Sequence, residues 1–274
     1  MKLRQVATIG IALSVLTALA VGAGGAPTGG GSAHPAWGAS IHWNFFETMR
    51  KNVVDGKLDY GRLKRKGKPV LDRYLRDLAK DDLKGPSWKP WDSNDRLAFW
   101  LNAYNACVIA GIVERYPKIK SVQEVKGFFD DKRWKVAGQV MSLNEIEKKV
   151  RSFRDPRIHF VLVCGAKSCP PLRPYAMMGD ELQRRLEEIT KKVVNDERYV
   201  QVDAKAKRLR LTRIMSWYQQ DFVDKYGSLE EFLLRYLKEP KCAELAAGGY
   251  TIEFMSYDWA LNDASGAANK GTAR

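Results

Sequence analysis

Four side chains capable of nucleophilic or acid–base chemistry lie close together in the second half of the chain: Glu147, His159, Cys164 and Cys169. A cysteine thiol has a pKa of about 8.5, so it needs a neighbouring base to become a thiolate near neutral pH. An imidazole can be that base, and a carboxylate can orient the imidazole. This set predicts a thiol-dependent hydrolase or acyl transferase with Cys169 as nucleophile, His159 as base and Glu147 as orienting group.

The same residues allow other interpretations. Cys164 and Cys169 are five positions apart and can form a disulfide, which would make both sulfur atoms unreactive as nucleophiles. A metal site made of His159 and the two cysteines has suitable ligand types, but its spacing matches no common zinc pattern. We therefore expect neither a metal nor a cofactor. We expect Cys169 to be exposed in a loop and Cys164 to be buried and inert.

Polar residues elsewhere suggest where a substrate would bind. Asn102 and Asn105 are three positions apart and share one face of a helix. Because buried amides need hydrogen-bond partners, they either bind the backbone of a neighbouring loop or line a ligand pocket. Ser168 and Arg173 lie on either side of Cys169, and the guanidinium favours an anionic substrate. We expect the pocket where the end of segment 158–164 meets the asparagines.

Hydrophobic patterns predict the elements that position these residues. A helix over 94–116, capped by Ser93 or Asn94, is apolar on nearly all sides and should lie at the centre of the fold. The β-branched run 158–164 predicts a buried strand. Helices before short strands indicate an α+β fold: a small, mostly antiparallel sheet packed on the buried central helix, with further helices. The other predicted helices are 42–54, 70–83, 143–151, 180–194, 214–226 and 229–237, the predicted hairpins are 133–141 and 199–211, and a last strand is predicted at 251–255.

The N-terminal residues predict export. Residues 1–20 have a short positive start, an apolar run and a small-x-small ending, which are typical of a signal peptide, with an uncleaved anchor as the alternative. Residues 21–40 and 264–274 are rich in small and polar residues and predict a flexible lead-in and tail. A single folded domain then spans 41–263. We expect a periplasmic or secreted protein with no transmembrane segment once the signal is removed.

Charge indicates the kind of partner. The chain carries a formal net charge of +14, which attracts anions. Export makes nucleic acid an unexpected partner, so we expect an anionic ligand or substrate of the cell envelope. The tryptophans, Trp217 and Trp259 included, are expected in the core. The alternative to an enzyme is a non-catalytic envelope-binding or scaffold domain whose basic surface meets anionic polymers.

Six ordered motifs resemble those of the domain of unknown function 547 family, in particular its bacterial exported members. The family signature FWxNxYNA is similar to WLNAYNA at 100–106. The resemblance runs from about Trp43 to Asn262 and implies a domain type without an agreed reaction. The other motifs are DGKLDY at 55–60, LNEIE at 143–147, DPRIHF at 155–160, the segment from Cys164 through SCPPL at 168–172, and YDWALN at 257–262.

The chain departs from the family pattern at one position. Many members have His after the glutamate, whereas this chain has Lys148 after Glu147. If that His serves a reaction in the family, it is missing here. A Cys-His pair beside a buried helix is also broadly similar to the papain and transglutaminase architectures, although those place the cysteine on the helix before the histidine strand.

Overall fold

A computed structural model describes residues 41–80 and 91–265, so the predicted signal peptide and lead-in lie outside the described residues. The described part is mainly helical, and its elements fall in one compact unit. The α-helices of this part are α1 (Trp43–Asn52), α2 (Tyr60–Arg62), α3 (Lys68–Leu78), α4 (Ser93–Arg115), α5 (Leu143–Arg151), α6 (Leu182–Val194), α7 (Arg213–Trp217), α8 (Gln219–Tyr226), α9 (Leu229–Tyr236) and α10 (Lys241–Ala246).

Short strands form three separate sheets in the described residues. The first two are antiparallel hairpins, and the third adds a parallel strand to an antiparallel pair. The α+β prediction is confirmed, with mostly antiparallel pairing. The strands are β1 (Val53–Val54) with β2 (Lys57–Leu58), β3 (Trp134–Val136) with β4 (Gln139–Met141), and β5 (Val200–Asp203), β6 (Arg208–Leu211) and β7 (Thr251–Phe254).

The predicted central helix is α4. Its residues are buried from Leu97 to Val113 without interruption, and it packs most extensively against α5. By length and composition it could cross a membrane, but 94% of its most apolar window is buried inside the protein, as in a core helix. The predicted caps are wrong: Asp92 is the N-cap, and it exchanges hydrogen bonds with Asp95 in a capping box.

The strand predicted over 158–164 is wrong. Pro156–Phe160 is a short 3-10 helix, and the carboxylate of Asp155 accepts a hydrogen bond from the amide of Arg157 at its start. The fixed φ of Pro156 suits a first helical residue. Residues 161–164 follow without regular structure. The apolar run therefore signals burial, and the Asp-Pro pair before it decides the local conformation.

The C-terminal segment returns to the beginning of the domain. The Leu58 amide donates to the Asn262 carbonyl (3.0 Å), and the Ala264 amide donates to the Leu58 carbonyl (2.9 Å). Ala264 is 3% exposed, and the Ser265 hydroxyl donates to the Asp59 carboxylate. These two residues belong to the folded part, so the prediction of a flexible tail from residue 264 is wrong for them.

The remaining helical predictions need further changes. The helix predicted over 214–226 is interrupted at Tyr218, which separates α7 from α8. Helices α2 and α10 have no counterpart among the predicted helices, because both are short and their sequences have little apolar periodicity.

Candidate functional site

The loop 164–169 carries both candidate cysteines and is fastened to the C-terminal segment. The Lys167 amide donates to the Ala260 carbonyl (2.8 Å), and the Ser168 amide donates to the Asp258 carbonyl (3.3 Å). The Ser168 hydroxyl in turn accepts a hydrogen bond from the Asp258 amide (2.9 Å). Ser168 therefore holds the loop in place, and its predicted role in substrate binding receives no geometric support.

The two cysteines are free thiols that meet at one tyrosine. The hydroxyl of Tyr257 lies 3.0 Å from Cys164 Sγ and 3.1 Å from Cys169 Sγ, and the Cys164 amide donates to Cys169 Sγ (3.2 Å). Cys169 is 4% exposed, whereas Cys164 is half-buried. The predicted exposures are therefore reversed, because the end of the loop folds back under the C-terminal segment.

Hydrogen bonds distinguish the two thiols chemically. Burial raises the pKa of the Cys169 thiol, but hydrogen bonds from Cys164, Tyr257 and the Ala166 amide outweigh burial and lower it below its ordinary value. The bond with Cys169, together with burial, raises the pKa of Cys164. Burial and the neighbouring thiols raise the pKa of Tyr257. Tyr257 therefore keeps its proton and can donate to a thiolate on Cys169.

His159 belongs to a separate network. Its Nε2 lies 2.8 Å from Asp221 Oδ2, and Arg151 donates two further hydrogen bonds to Asp221 (2.8 Å each). Burial lowers the pKa of His159, while hydrogen bonds from Arg151 and His159 hold the pKa of Asp221 below its usual range. A neutral imidazole facing a carboxylate carries its proton on Nε2. His159 Nδ1 is buried and has no partner within the described part of the chain.

Glu147 reaches His159 only through Tyr218. The ring of His159 stacks on Tyr218 at 3.9 Å, and the Tyr218 hydroxyl lies close to Glu147, whose pKa burial raises. No hydrogen bond joins Cys169 to His159 or to Glu147 in residues 41–80 and 91–265. The structure thus brings two members of the predicted triad together and leaves the nucleophile in its own cluster.

Tyr104 on α4 lies within electrostatic reach of both clusters. Burial raises its pKa first, and charges on Glu147, Cys164, Tyr218 and Cys169 raise it further. The thiol cluster and the histidine network are therefore neighbours on the same side of the central helix.

The asparagines have structural roles. Asn102 exchanges two hydrogen bonds with the backbone of Met177 (2.8 and 2.9 Å), and Asn105 binds the Val161 carbonyl (3.0 Å) and the Val163 amide (2.9 Å). This is the backbone-binding alternative that the sequence left open. The two amides position the segment before Cys164 and the chain after it.

A cavity does lie where the pocket was expected. Asn102, Asn105, Val163 and Arg173 line it, and the buried Nε of Arg173 has no partner among the described residues. Its volume is about 20 Å³, enough for one water molecule and far too small for a substrate.

A partly exposed group of aromatic rings lies beside the thiols. We call Trp217, Tyr257 and Trp259 the aromatic shelf; the ring centroid of Trp217 lies 4.7 Å from that of Tyr257 and 5.6 Å from that of Trp259. Trp217 is 47% exposed, so its predicted place in the core is wrong. The sequence shows Tyr257 and Trp259 within a motif but indicates no chemical role for either.

A second, open cleft lies over the histidine network. It has a volume of about 610 Å³, and Asp221 forms part of its wall. Within the described residues, no group of three or more histidine, cysteine or acidic side chains is arranged to hold a metal ion. The other residues lining the cleft are Arg151, Arg154, Asp155, Ile158, Asp224 and Lys225.

Residues 88–194 match the family model described as protein of unknown function, DUF547. This part of the chain is a DUF547 domain. The match contains Asn102, Asn105, Glu147, His159 and both cysteines of the loop, in agreement with the resemblance drawn from the motifs. No curated protein and no solved structure matches the chain.

The DUF547 match ends before several residues that complete the site. Tyr218 and Asp221 of the histidine network lie after residue 194, as does Tyr257 of the thiol cluster. The DUF547 segment therefore supplies the thiols, and the following part of the chain supplies the hydroxyl that contacts both of them.

Proposed function

We propose that this protein is a thiol-dependent hydrolase or acyl transferase in which Cys169 is the nucleophile. The observation that carries the proposal is the set of donors around Cys169 Sγ: the amide of Cys164, the amide of Ala166 and the hydroxyl of Tyr257. Such donors stabilise a thiolate more than a thiol, because a charged acceptor forms stronger hydrogen bonds. A thiolate is the reactive form of cysteine.

Because of these donors, Cys169 is activated in a different way from the cysteine of a catalytic triad. A triad cysteine gives its proton to a histidine, but His159 is engaged with Asp221 and has no bond to Cys169. Here the lowered pKa of Cys169 itself provides the thiolate, which is an established alternative for activating a nucleophile. His159 and Glu147 then act as positioning residues on the neighbouring network.

The proposed reaction has two steps. The thiolate attacks the carbonyl carbon of an acyl substrate, a carbon–sulfur bond forms, and the bond to the leaving group breaks as that group takes a proton from solvent. Water, or another nucleophile, then attacks the thioester and restores the Cys169 thiolate. Attack by water makes the enzyme a hydrolase, and attack by another nucleophile makes it an acyl transferase.

A small acyl ester tests the proposal. We expect p-nitrophenyl acetate to release a burst of p-nitrophenolate and to leave an acetyl group on Cys169, detected by peptide mass spectrometry. Cys169→Ala should lose both signals. Cys242→Ala is the matched control, because Cys242 is half-buried and, among the described residues, its sulfur is hydrogen-bonded to the Leu234 carbonyl (3.5 Å) and to no thiol or tyrosine.

Equal release of p-nitrophenolate by the wild type and Cys169→Ala would overturn the catalytic proposal. The scaffold alternative would then stand, and it makes its own prediction. The net charge of +14 should give binding to an anionic polymer that weakens as salt is added.

We also propose that the protein is exported and meets an anionic ligand of the cell envelope. The pattern of residues 1–20 and the positive charge support this location and partner. N-terminal sequencing of protein from the producing cell should find a start after the small-x-small site at Ala20 or Ala23. A start at Met1 in membrane-bound material would contradict cleavage.

A further inference from the structure

Two thiols with different chemical properties lie close together, and this arrangement suggests a second activity. We propose that Cys164 and Cys169 form a redox-active dithiol that exchanges with small disulfide substrates, Cys164 reacting first and Cys169 closing the disulfide. The inference uses the sulfur atoms of the proposed function, but it does not depend on acyl transfer.

The two sulfur atoms lie against one hydroxyl group. The Tyr257 hydroxyl is 3.0 Å from Cys164 Sγ and 3.1 Å from Cys169 Sγ, and the Cys164 amide donates to Cys169 Sγ (3.2 Å). The loop that joins them turns at Gly165, which has a φ of +82°. A Cβ there would lie 2.4 Å from Ile112 Cδ1, so glycine permits the turn that brings the thiols together.

Exposure assigns the order of the two steps. The Cys164 residue is half-buried, whereas Cys169 is 4% exposed, so an incoming disulfide meets Cys164 first. The donors around Cys169 favour its thiolate, which is the form that attacks a disulfide. Cys169 is therefore the resolving thiol.

The electrons and protons balance over two exchanges. Cys164 rests as a thiol because its pKa is raised, so it first gives its proton to solvent. The resulting thiolate attacks one sulfur of a substrate disulfide, forms a mixed disulfide and releases the first substrate thiolate. The thiolate of Cys169 then attacks Cys164 Sγ, forms the Cys164–Cys169 bond and releases the second substrate thiolate. The protein loses two electrons and two protons, and the substrate disulfide is reduced to two thiols.

The other cysteines provide internal controls. Cys107 is buried in α4, and burial raises its pKa, so it should stay unreactive. Cys242 is partly exposed like Cys164, but its sulfur bonds to the Leu234 carbonyl and not to a thiol. Cys242 can therefore form a mixed disulfide but has no resolving partner.

Oxidised glutathione is the probe for the experiment. The reduced full chain is incubated with it, quenched with acid and mapped by mass spectrometry. We expect an intramolecular Cys164–Cys169 disulfide, about 2 Da lighter than the dithiol. The mixed disulfide on Cys164 should not accumulate in the wild type, because the step that resolves it is intramolecular.

Variants test the order of the steps. Cys169→Ser should accumulate glutathione on Cys164, whereas Cys164→Ser should leave Cys169 largely unmodified. Cys242→Ser should behave like the wild type, and circular dichroism checks that each variant is folded. The wild-type measurement needs no substitution, so it shows whether the Cys164–Cys169 disulfide forms even where a variant fails to fold.

Two outcomes would overturn the inference. Wild-type protein could accumulate glutathione on Cys164 without closing the disulfide, or Cys164→Ser could acquire glutathione on Cys169 as quickly as Cys169→Ser does on Cys164. Acetylation of Cys169 is measured separately, on the wild-type protein. A failure of exchange with acetylation intact therefore rejects this inference alone, and the reverse result rejects the acyl-transfer proposal alone.

Discussion

At the scale of single residues, Tyr257 links the reactive groups to the molecular surface. Its hydroxyl contacts both sulfur atoms, and its ring packs against the exposed Trp217. A ligand that binds to the aromatic shelf would therefore lie next to the thiols. The sequence shows Tyr257 only as part of a motif, because its sulfur partners lie some ninety positions earlier in the chain.

Replacing Tyr257 by Phe should raise the pKa of Cys169. The change removes a donor to the thiolate, and a hydrogen bond to a charged group contributes about 1.5 kcal/mol or more, which corresponds to about one pKa unit. Ultraviolet absorbance of the thiolate, recorded against pH, measures the shift. Tyr226→Phe is the control, because the Tyr226 hydroxyl pairs with Tyr236 and touches no thiol. Identical titrations of both variants would contradict the role of Tyr257.

His42 makes the stability of the domain depend on pH. Its Nδ1 lies 2.8 Å from the Tyr74 hydroxyl, and burial lowers the pKa of His42 from 6.5 to about 3. Below about pH 6.5 the unfolded chain takes up a proton that the folded protein refuses, so unfolding becomes more favourable as the pH falls towards 3. Urea titrations should show the free energy of unfolding falling over this window.

The His42→Gln variant isolates that contribution. Carboxylates such as Asp155 and Asp221, together with His159, titrate in both proteins, so only the part due to His42 differs. The variant should lose less stability than the wild type between pH 6.5 and about pH 4. Parallel curves for the two proteins would show that His42 is not the titrating group.

At the scale of elements, turns decide where the reactive loop lies. Gly56, between β1 and β2, has a φ of +74°, and its carbonyl accepts a hydrogen bond from the Leu172 amide (2.9 Å) just beyond the loop. A Cβ at this position would lie 2.5 Å from Pro171 Cβ. The hairpin and the Pro-Pro segment can therefore approach only because residue 56 has no side chain.

Gly56→Ala should lower the free energy of unfolding by more than a backbone penalty alone. Gly227→Ala is the matched control, since Gly227 has a φ of +87° but a Cβ added there would have nothing within 4 Å. The control should lose roughly 1 kcal/mol for the strained conformation, and Gly56→Ala should lose more because Pro171 must also move. Chemical denaturation of both variants measures the difference. Equal losses would show that the contact with Pro171 does not contribute.

Periodicity predicts most of the helices but misjudges the segment before the thiols. Helix α5 and its Ser142–Glu145 capping box follow from a local pattern, and the structure has both. The run 158–164 has strand-like composition, yet its carbonyl at Val161 and amide at Val163 bind the side chain of Asn105. Composition reports that such a run is buried, but it does not say which groups satisfy its backbone.

At the scale of the whole molecule, motifs that are distant in sequence meet around the reactive loop. The Tyr60 hydroxyl donates to Asn262 Oδ1 (2.7 Å), and the Asn262 amide donates to the Gly165 carbonyl (2.9 Å). The first and last motifs thus hold the thiol loop from one side while α4 holds the preceding segment from the other. Sequence could identify these motifs, but their meeting depends on the complete packing of the chain.

The same packing explains why the predicted triad is not assembled. Nearness in sequence suggests that His159 serves Cys169, whereas the partner of His159 is Asp221 on α8, sixty-two positions later. Side-chain partners at such separations follow from the way helices pack. The domain limits at residues 41 and 263 stay predictions, apart from the extension of the folded part through Ser265.

The most direct test of the central claim is the rate of alkylation of each cysteine by iodoacetamide across a range of pH, resolved by peptide mass spectrometry. We predict that Cys169 reacts with a midpoint below the ordinary pKa of a cysteine thiol, because hydrogen bonds stabilise its thiolate. Buried Cys107 in the same sample should remain unreacted while the protein is folded. If Cys169 reacts no faster than Cys107 at any pH, it is not an activated thiol and the central claim is wrong.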